Sequence, residues 1–284
     1  MRRGVVFVVC SASAGCLLFT DLSGLSSGGG AADAADDAVG SPDTGADVGA
    51  RDAPSGSEAS APSAYAAAVM SDSPLVWLRL DETSGVVAKD SSGNGHDAAV
   101  LGKVTWSAGG AIASGGTAVH FDGLTSGLDL GKTFDFAGTA PFTLEAWVRE
   151  EVVDSTFRHL FTKDDESGAR EEYGIFYQQG AMAFERYVVG TQAACGQMRP
   201  DLVGRWAHTV GTYDGAKLVI YIDGVAVDNA PDTRAQASKP VPFYAGMRSV
   251  SSGVVQGSLD EIAVYGTALS ATRVKAHFDA ASKP

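Results

Sequence analysis

Between residues 75 and 265 short apolar runs recur with period-two alternation, and the pairs between them are Asp122-Gly123, Gln179-Gly180, Asp214-Gly215 and Asp223-Gly224. Asp-Gly pairs tolerate the positive φ that tight hairpins need, so such pairs between alternating runs mark strand–turn–strand units. The runs fall at 75–80, 98–104, 118–121, 142–149, 159–162, 173–177, 181–188, 206–213, 218–222, 243–247 and 259–265. Many strands with short turns and no βαβ spacing predict an antiparallel β-sandwich.

Alternation also assigns faces. Phe142, Leu144, Ala146 and Val148 share one side of their run, as do Leu218, Ile220 and Ile222. Trp147, Val219 and Tyr221 lie on the opposite faces, which must then be covered by loops or form a binding surface. Two helical pieces flank the strands. One is the Ala-rich stretch 64–70; the other is 271–281, with Ser270 as N-cap and Val274 and Phe278 four apart on one side.

The first sixty residues cannot contribute a core. Arg2 and Arg3 precede the apolar run Val5 to Val9 and then small residues, the pattern of an export signal too short to span a bilayer. Two processing sites compete. Ala12-Ser13-Ala14 is an A-x-A site, while Ser13-Ala14-Gly15-Cys16 resembles a bacterial lipobox with Ser13 where Leu is usual. The lipobox is preferred because Leu17-Leu18-Phe19 is an odd start for a free soluble terminus. That assigns residues 1–15 to a signal, makes Cys16 the lipidation site, and places the protein outside the cytoplasm as a membrane-anchored lipoprotein. It is otherwise secreted. Residues 16–63 read as an acidic tether of Gly, Ala, Ser and Asp, too poor in apolar groups to offset its ordering entropy. Residues 64–284 form the single folded domain.

The net charge of −13 argues against nucleic acid, whose phosphates need a basic face. Of the three cysteines only Cys195 lies in the domain, so no disulfide can form inside it and the core alone must hold it together.

Several phrases carry a family likeness. They run from Tyr65 through Trp77 to Glu82, Asp90 to His96, Phe142 to Val148, Trp206 to Gly215, Leu218 to Gly224, and Gly257 to Ser270. Taken in order, they resemble bacterial laminin-G-like domains of the concanavalin A-like lectin/glucanase class. The resemblance implies an all-β fold, a two-sheet antiparallel jelly-roll sandwich with a short C-terminal helix. It specifies fold better than function, because one fold hosts many sites.

Three chemistries are weighed. Asp90-x-Ser92-x-Asn94-Gly95 begins like an EF-hand loop, but its twelfth position is Leu101, which cannot ligate. The family likeness instead nominates Asp90, Asp122 and Asp260 as ligands for calcium (Ca2+); the competing reading gives Asp90 an Asx turn and Asp260 bonds to backbone amides. For a glycan, Tyr173, Tyr177, Arg186 and Tyr187 supply stacking faces and hydrogen bonds, with Phe176 and Phe184 beside them. Alternation divides this group between two faces. Catalysis is not expected: the adjacent carboxylates Asp260 and Glu261 should point to opposite faces, whereas a glycosidase needs two in one cleft. The histidines also lack metal spacing. The expectation is a non-catalytic surface module for an extracellular glycan or protein. A structural envelope domain and a polysaccharide-degrading enzyme are the alternatives.

Overall fold

The computed structural model describes residues 63–164, 172–250 and 252–281. The proposed signal, Cys16 and all but the last residue of the proposed tether lie outside the described residues.

Sixteen strands, numbered in chain order, form two antiparallel sheets among the described residues. Sheet I runs β14 (Val225–Pro231), β13 (Lys217–Ile222), β12 (Ala207–Tyr213), β7 (Phe142–Glu150), β16 (Gln256–Tyr265), β5 (Thr117–Asp122) and β4 (Val104–Gly109), with β1 (Val76–Leu78) also paired to β16. Sheet II runs β11 (Thr191–Met198), β10 (Ala181–Val188), β9 (Glu172–Gln178), β8 (Arg158–Asp164), β15 (Phe243–Ala245), β6 (Gly127–Asp129), β3 (Ala98–Leu101) and β2 (Val87–Ala88). Two helices, α1 (Ala64–Ser71) and α2 (Ala271–Ala281), bracket the strands in sequence.

The expected alternation builds the core. Phe142, Leu144, Ala146 and Val148 of β7 meet Ile175, Met182 and Phe184 of sheet II in one apolar cluster between the sheets. Each large side chain removed from water there contributes on the order of 2 kcal/mol. The hairpins close where expected. Asp223 and Gly224 both take positive φ (52° and 77°), as a two-residue turn demands, and Asp214 Oδ1 accepts the amides of Ala216 and Lys217.

A second apolar cluster lies on the outer side of sheet I. Tyr65, Ala66 and Val69 of α1 and Val274 and Ala280 of α2 pack with Trp77, Trp147, Val210, Tyr221 and Tyr265. The aromatic outer face anticipated for Trp147 and Tyr221 is therefore closed by helices, not by loops. Four strands escaped the periodicity, β2, β6, β11 and β14, and β4 was met only at its first residue, Val104. No helix among the described residues is long and apolar enough to cross a membrane.

Candidate functional site

Strands β9 and β10 pair, as the glycan reading supposed, with Tyr173 opposite Arg186 and Phe176 opposite Ala183. Their phase corrects three of the four nominated ligand residues. Tyr173, Tyr177 and Arg186 point into the sandwich at 1%, 0% and 0% exposure, out of a ligand's reach. The Tyr173 hydroxyl donates to the Phe134 carbonyl. Arg186 forms an ion pair with the equally buried Asp232 at 2.8 Å, donates to the Gly138 carbonyl at 2.8 Å, and lies 4.2 Å over the Tyr213 ring. A guanidinium can occupy the interior because these partners take up its charge and its two terminal nitrogens.

Tyr187 alternates to the other side and stands half-buried on the outer face of sheet II. The registers place Phe176, Glu185, His159 and Tyr244 on that same face, where Tyr244 is half-buried and Phe176, Glu185 and His159 are buried beneath it at 3%, 3% and 2% exposure. Phe157 lies against it, its ring 5.3 Å from Phe176, and His159 is 5.8 Å from Phe176. Gly174, Ala183, Ala194 and Gly196 leave the surface between them low. Gln192 donates to Glu185 at 2.6 Å. Flat rings beside a carboxylate and an amide are the groups that stack on sugar C–H surfaces and bond hydroxyls. Phe176 and Tyr187 were legible as members of the aromatic strands; His159 and Tyr244 join them only through sheet register. Elsewhere, a groove of about 350 Å³ flanks the β13–β14 hairpin, lined in part by Lys217, Tyr221, Asp228 and Asn229.

The nominated calcium ligands do not converge. Asp90 accepts the amides of Trp77, Ser92 and His96, closing its own loop. Burial opposes its ionisation, but these bonds hold its carboxyl below the usual range. Asp122 accepts the amides of Leu124 and Thr125 at the β5–β6 turn, and Asp260 accepts that of Ala111. No three His, Cys, Asp or Glu side chains among the described residues gather as a metal-holding group. These three aspartates do not fit one calcium ion.

The expected split of Asp260 and Glu261 is also corrected. A bulge between Asp260 and Ala263, with Glu261 at φ 52°, turns both carboxylates to the outer side of sheet I. There Glu261 accepts from Trp77 Nε1 at 2.6 Å. Burial pushes Asp260 up to about 7 and raises Glu261 well above the carboxylate range. At 2% and 4% exposure the pair offers no approach to a substrate.

Another buried polar group occupies the same side. Glu145 of β7 accepts from Tyr265 at 2.8 Å, Tyr65 at 3.3 Å and His208 at 2.8 Å, and faces His277 Nδ1 at 3.0 Å. Burial alone would raise it, but His277 and His208 hold it below the ordinary range. His208 is fully buried on β12.

Comparison with known proteins follows this geometry. The family model described as the concanavalin A-like lectin/glucanases superfamily matches residues 121–275. A search of curated proteins returned no match. Among solved structures, the binding domain of Paraclostridial mosquitocidal protein 1 superposes with a TM-score of 0.55 at 15% identity, over 74% of this chain and 52% of that one. The binding domain of botulinum neurotoxin DC in complex with SialylT gives 0.57 at 12%, over 75% and 52%. A Trypanosoma rangeli sialidase gives 0.53 at 16%, over 72% and 33%. The chain spans about half the length of the toxin chains it resembles, and at these identities the likeness is one of fold. The matched model and the two-sheet jelly roll together give the assignment: this chain belongs to the concanavalin A-like lectin/glucanases superfamily.

Proposed function

We propose that this domain is a non-catalytic recognition module that binds an extracellular carbohydrate or protein on the outer face of sheet II. The observation that carries the reading is the convergence there of exposed Phe157 with half-buried Tyr187, Tyr244 and Gln192, backed by the buried Phe176 and Glu185. The toxin structures support it in kind, since both are binding domains and one is a complex with SialylT. The sealed Asp260–Glu261 pair supports the non-catalytic half of the reading. Acylation at Cys16 would hold the module at a membrane surface, and calcium would act outside the trio nominated from sequence.

A glycan array probed with the exported protein, with and without chelator, tests this. Saturable binding that drops at least tenfold in Tyr187→Ala, with an unchanged melting temperature, is the expected result. Loss in Asn229→Ala with full retention in Tyr187→Ala would move the site to the β13–β14 groove. Silence across diverse glycans, together with no protein captured through Tyr187, would favour a structural envelope role. Chelator sensitivity would assign calcium, and loss of palmitate labelling in Cys16→Ala would assign the anchor.

A further inference from the structure

One side chain joins the three layers on the outer side of sheet I. His277 of α2 is fully buried. Its Nδ1 stands 3.0 and 3.1 Å from the two carboxylate oxygens of Glu145 on β7. Its Nε2 stands 2.8 Å from Asp72 Oδ2 at the C-terminal cap of α1 and 3.1 Å from the Ala68 carbonyl. All of these oxygens accept. A neutral imidazole donates from only one nitrogen, so the arrangement is fully satisfied only when the ring carries both protons.

The surrounding groups reinforce this reading. Glu145 already receives Tyr65, Tyr265 and His208, so it stands as an ionised acceptor. Arg273 on α2 donates to Asp72 through Nε at 2.9 Å and reaches Ser71 Oγ at 2.6 Å. The rings of Tyr65 and Tyr265 lie 6.4 and 6.1 Å from His277. Glu261 lies beyond them and bonds Trp77, while Lys275 and Asp279 pair with each other at the surface of α2. The chain of charges thus alternates: Glu145, His277, Asp72, Arg273.

We propose that α1 and α2 form a proton-locked latch, in which doubly protonated His277 clamps α1 to sheet I and loss of one ring proton releases α1 before the sandwich unfolds. An eight-residue helix has no independent stability, so α1 persists only through its tertiary contacts. The core between the sheets is a separate cluster and does not depend on α1. Release uncovers Trp77, Trp147 and Tyr265. Burial by itself disfavours the imidazolium, but Glu145 and Asp72 raise His277 above its ordinary value. Its contribution is therefore complete below the unfolded value near ~6.5 and is lost as pH rises through the raised folded value. The latch is closed below that raised value and opens as pH rises through it.

Hydrogen–deuterium exchange of the full chain from pH 6 to 10, corrected for intrinsic exchange rates, reads this directly. The His277 ring is titrated by NMR in parallel. Protection of peptides over residues 64–72 should fall about tenfold through the His277 titration, while peptides over β7 and β12 keep theirs. Unchanged α1 protection across that titration overturns the proposal, as does loss of α1 and strand protection together. In His277→Gln the step should vanish and α1 should be weakly protected throughout; a step that persists assigns the proton elsewhere and refutes the latch. The wild-type scan stands by itself if that variant does not fold.

Discussion

Glu150 should make this domain less stable as pH rises, and replacing it should remove the effect. It is the last residue of β7 and continues the inward phase of Phe142, Leu144, Ala146 and Val148, so its carboxyl enters the end of the sandwich at 1% exposure. Neither carboxylate oxygen has a hydrogen-bond partner among the described residues. The nearest cation, Arg158, directs both terminal nitrogens to Asp154. Burial consequently outweighs the pull of Arg158 and pushes Glu150 up to about 8. Below pH 4.5 both folded and unfolded chains bind this proton and nothing is lost. Between 4.5 and about 8 only the folded chain binds it, and stability falls by about 1.4 kcal/mol per pH unit. Across that interval the loss is on the order of 5 kcal/mol, comparable with the whole stability of many domains.

Urea unfolding of the wild type and Glu150→Gln at pH 4.5, 6, 7 and 8 isolates this group. His277, Asp260 and Glu261 also favour the protonated folded state, but they are present in both proteins and cancel in the difference. The glutamine keeps the cost of a buried polar group, so a constant offset is expected at pH 4.5. On top of it the gap should widen in favour of Glu150→Gln by several kcal/mol by pH 8. A gap that stays constant from pH 4.5 to 8 would refute the reasoning, because it would mean that Glu150 ionises in the folded chain as it does in water.

Three further substitutions probe the same logic. Arg186→Ala removes one of the two arginines that pair with buried Asp232, leaving Arg234 at 2.6 Å, and should cost about 1–3 kcal/mol, whereas Arg186→Leu with Asp232→Leu should recover most of it in a denaturation cycle. Gly211→Ala puts a methyl 2.8–3.0 Å from the Phe184 ring and should cost about 1–3 kcal/mol, relieved by Phe184→Leu. Asp90→Ala strips the acceptor from three backbone amides and should cost about 1–3 kcal/mol equally in calcium and in chelator. A loss seen only in calcium would return the metal to that loop.

Strand positions were legible because alternation is local, and faces were not, because their cover is non-local. Tyr173, Tyr177 and Arg186 share a phase with Ile175 and Phe184, but an arginine in that phase reads as solvent-facing until its partner Asp232 is known, 46 residues on. Glu145 is the mirror case: an outward carboxylate that α1 and α2 enclose from opposite ends of the domain. Strand β11 is small and polar, and it follows a turn in which Val189 takes φ 49°, a conformation β-branched residues rarely adopt and no turn signature would announce. The Asp260–Glu261 pair was misread for one reason. Strict period two fails at a bulge, and the positive φ of Glu261 is invisible in a sequence that could have used glycine there.

The two outer faces therefore differ in kind, and that difference constrains how such a module can work. Sheet I is sealed by helices through charged side chains that would be costly to bury singly, while sheet II carries exposed Phe157 and half-buried Tyr187 with no helix of the described residues across it. Ser63 caps α1 through the amide of Ala66 on the sheet I side. A pull applied at Ser63 would load α1 first, and with it the Asp72–Arg273 and Asp72–His277 contacts. The ligand face would stay intact, because its strands are paired within sheet II and packed on a core that α1 does not enter.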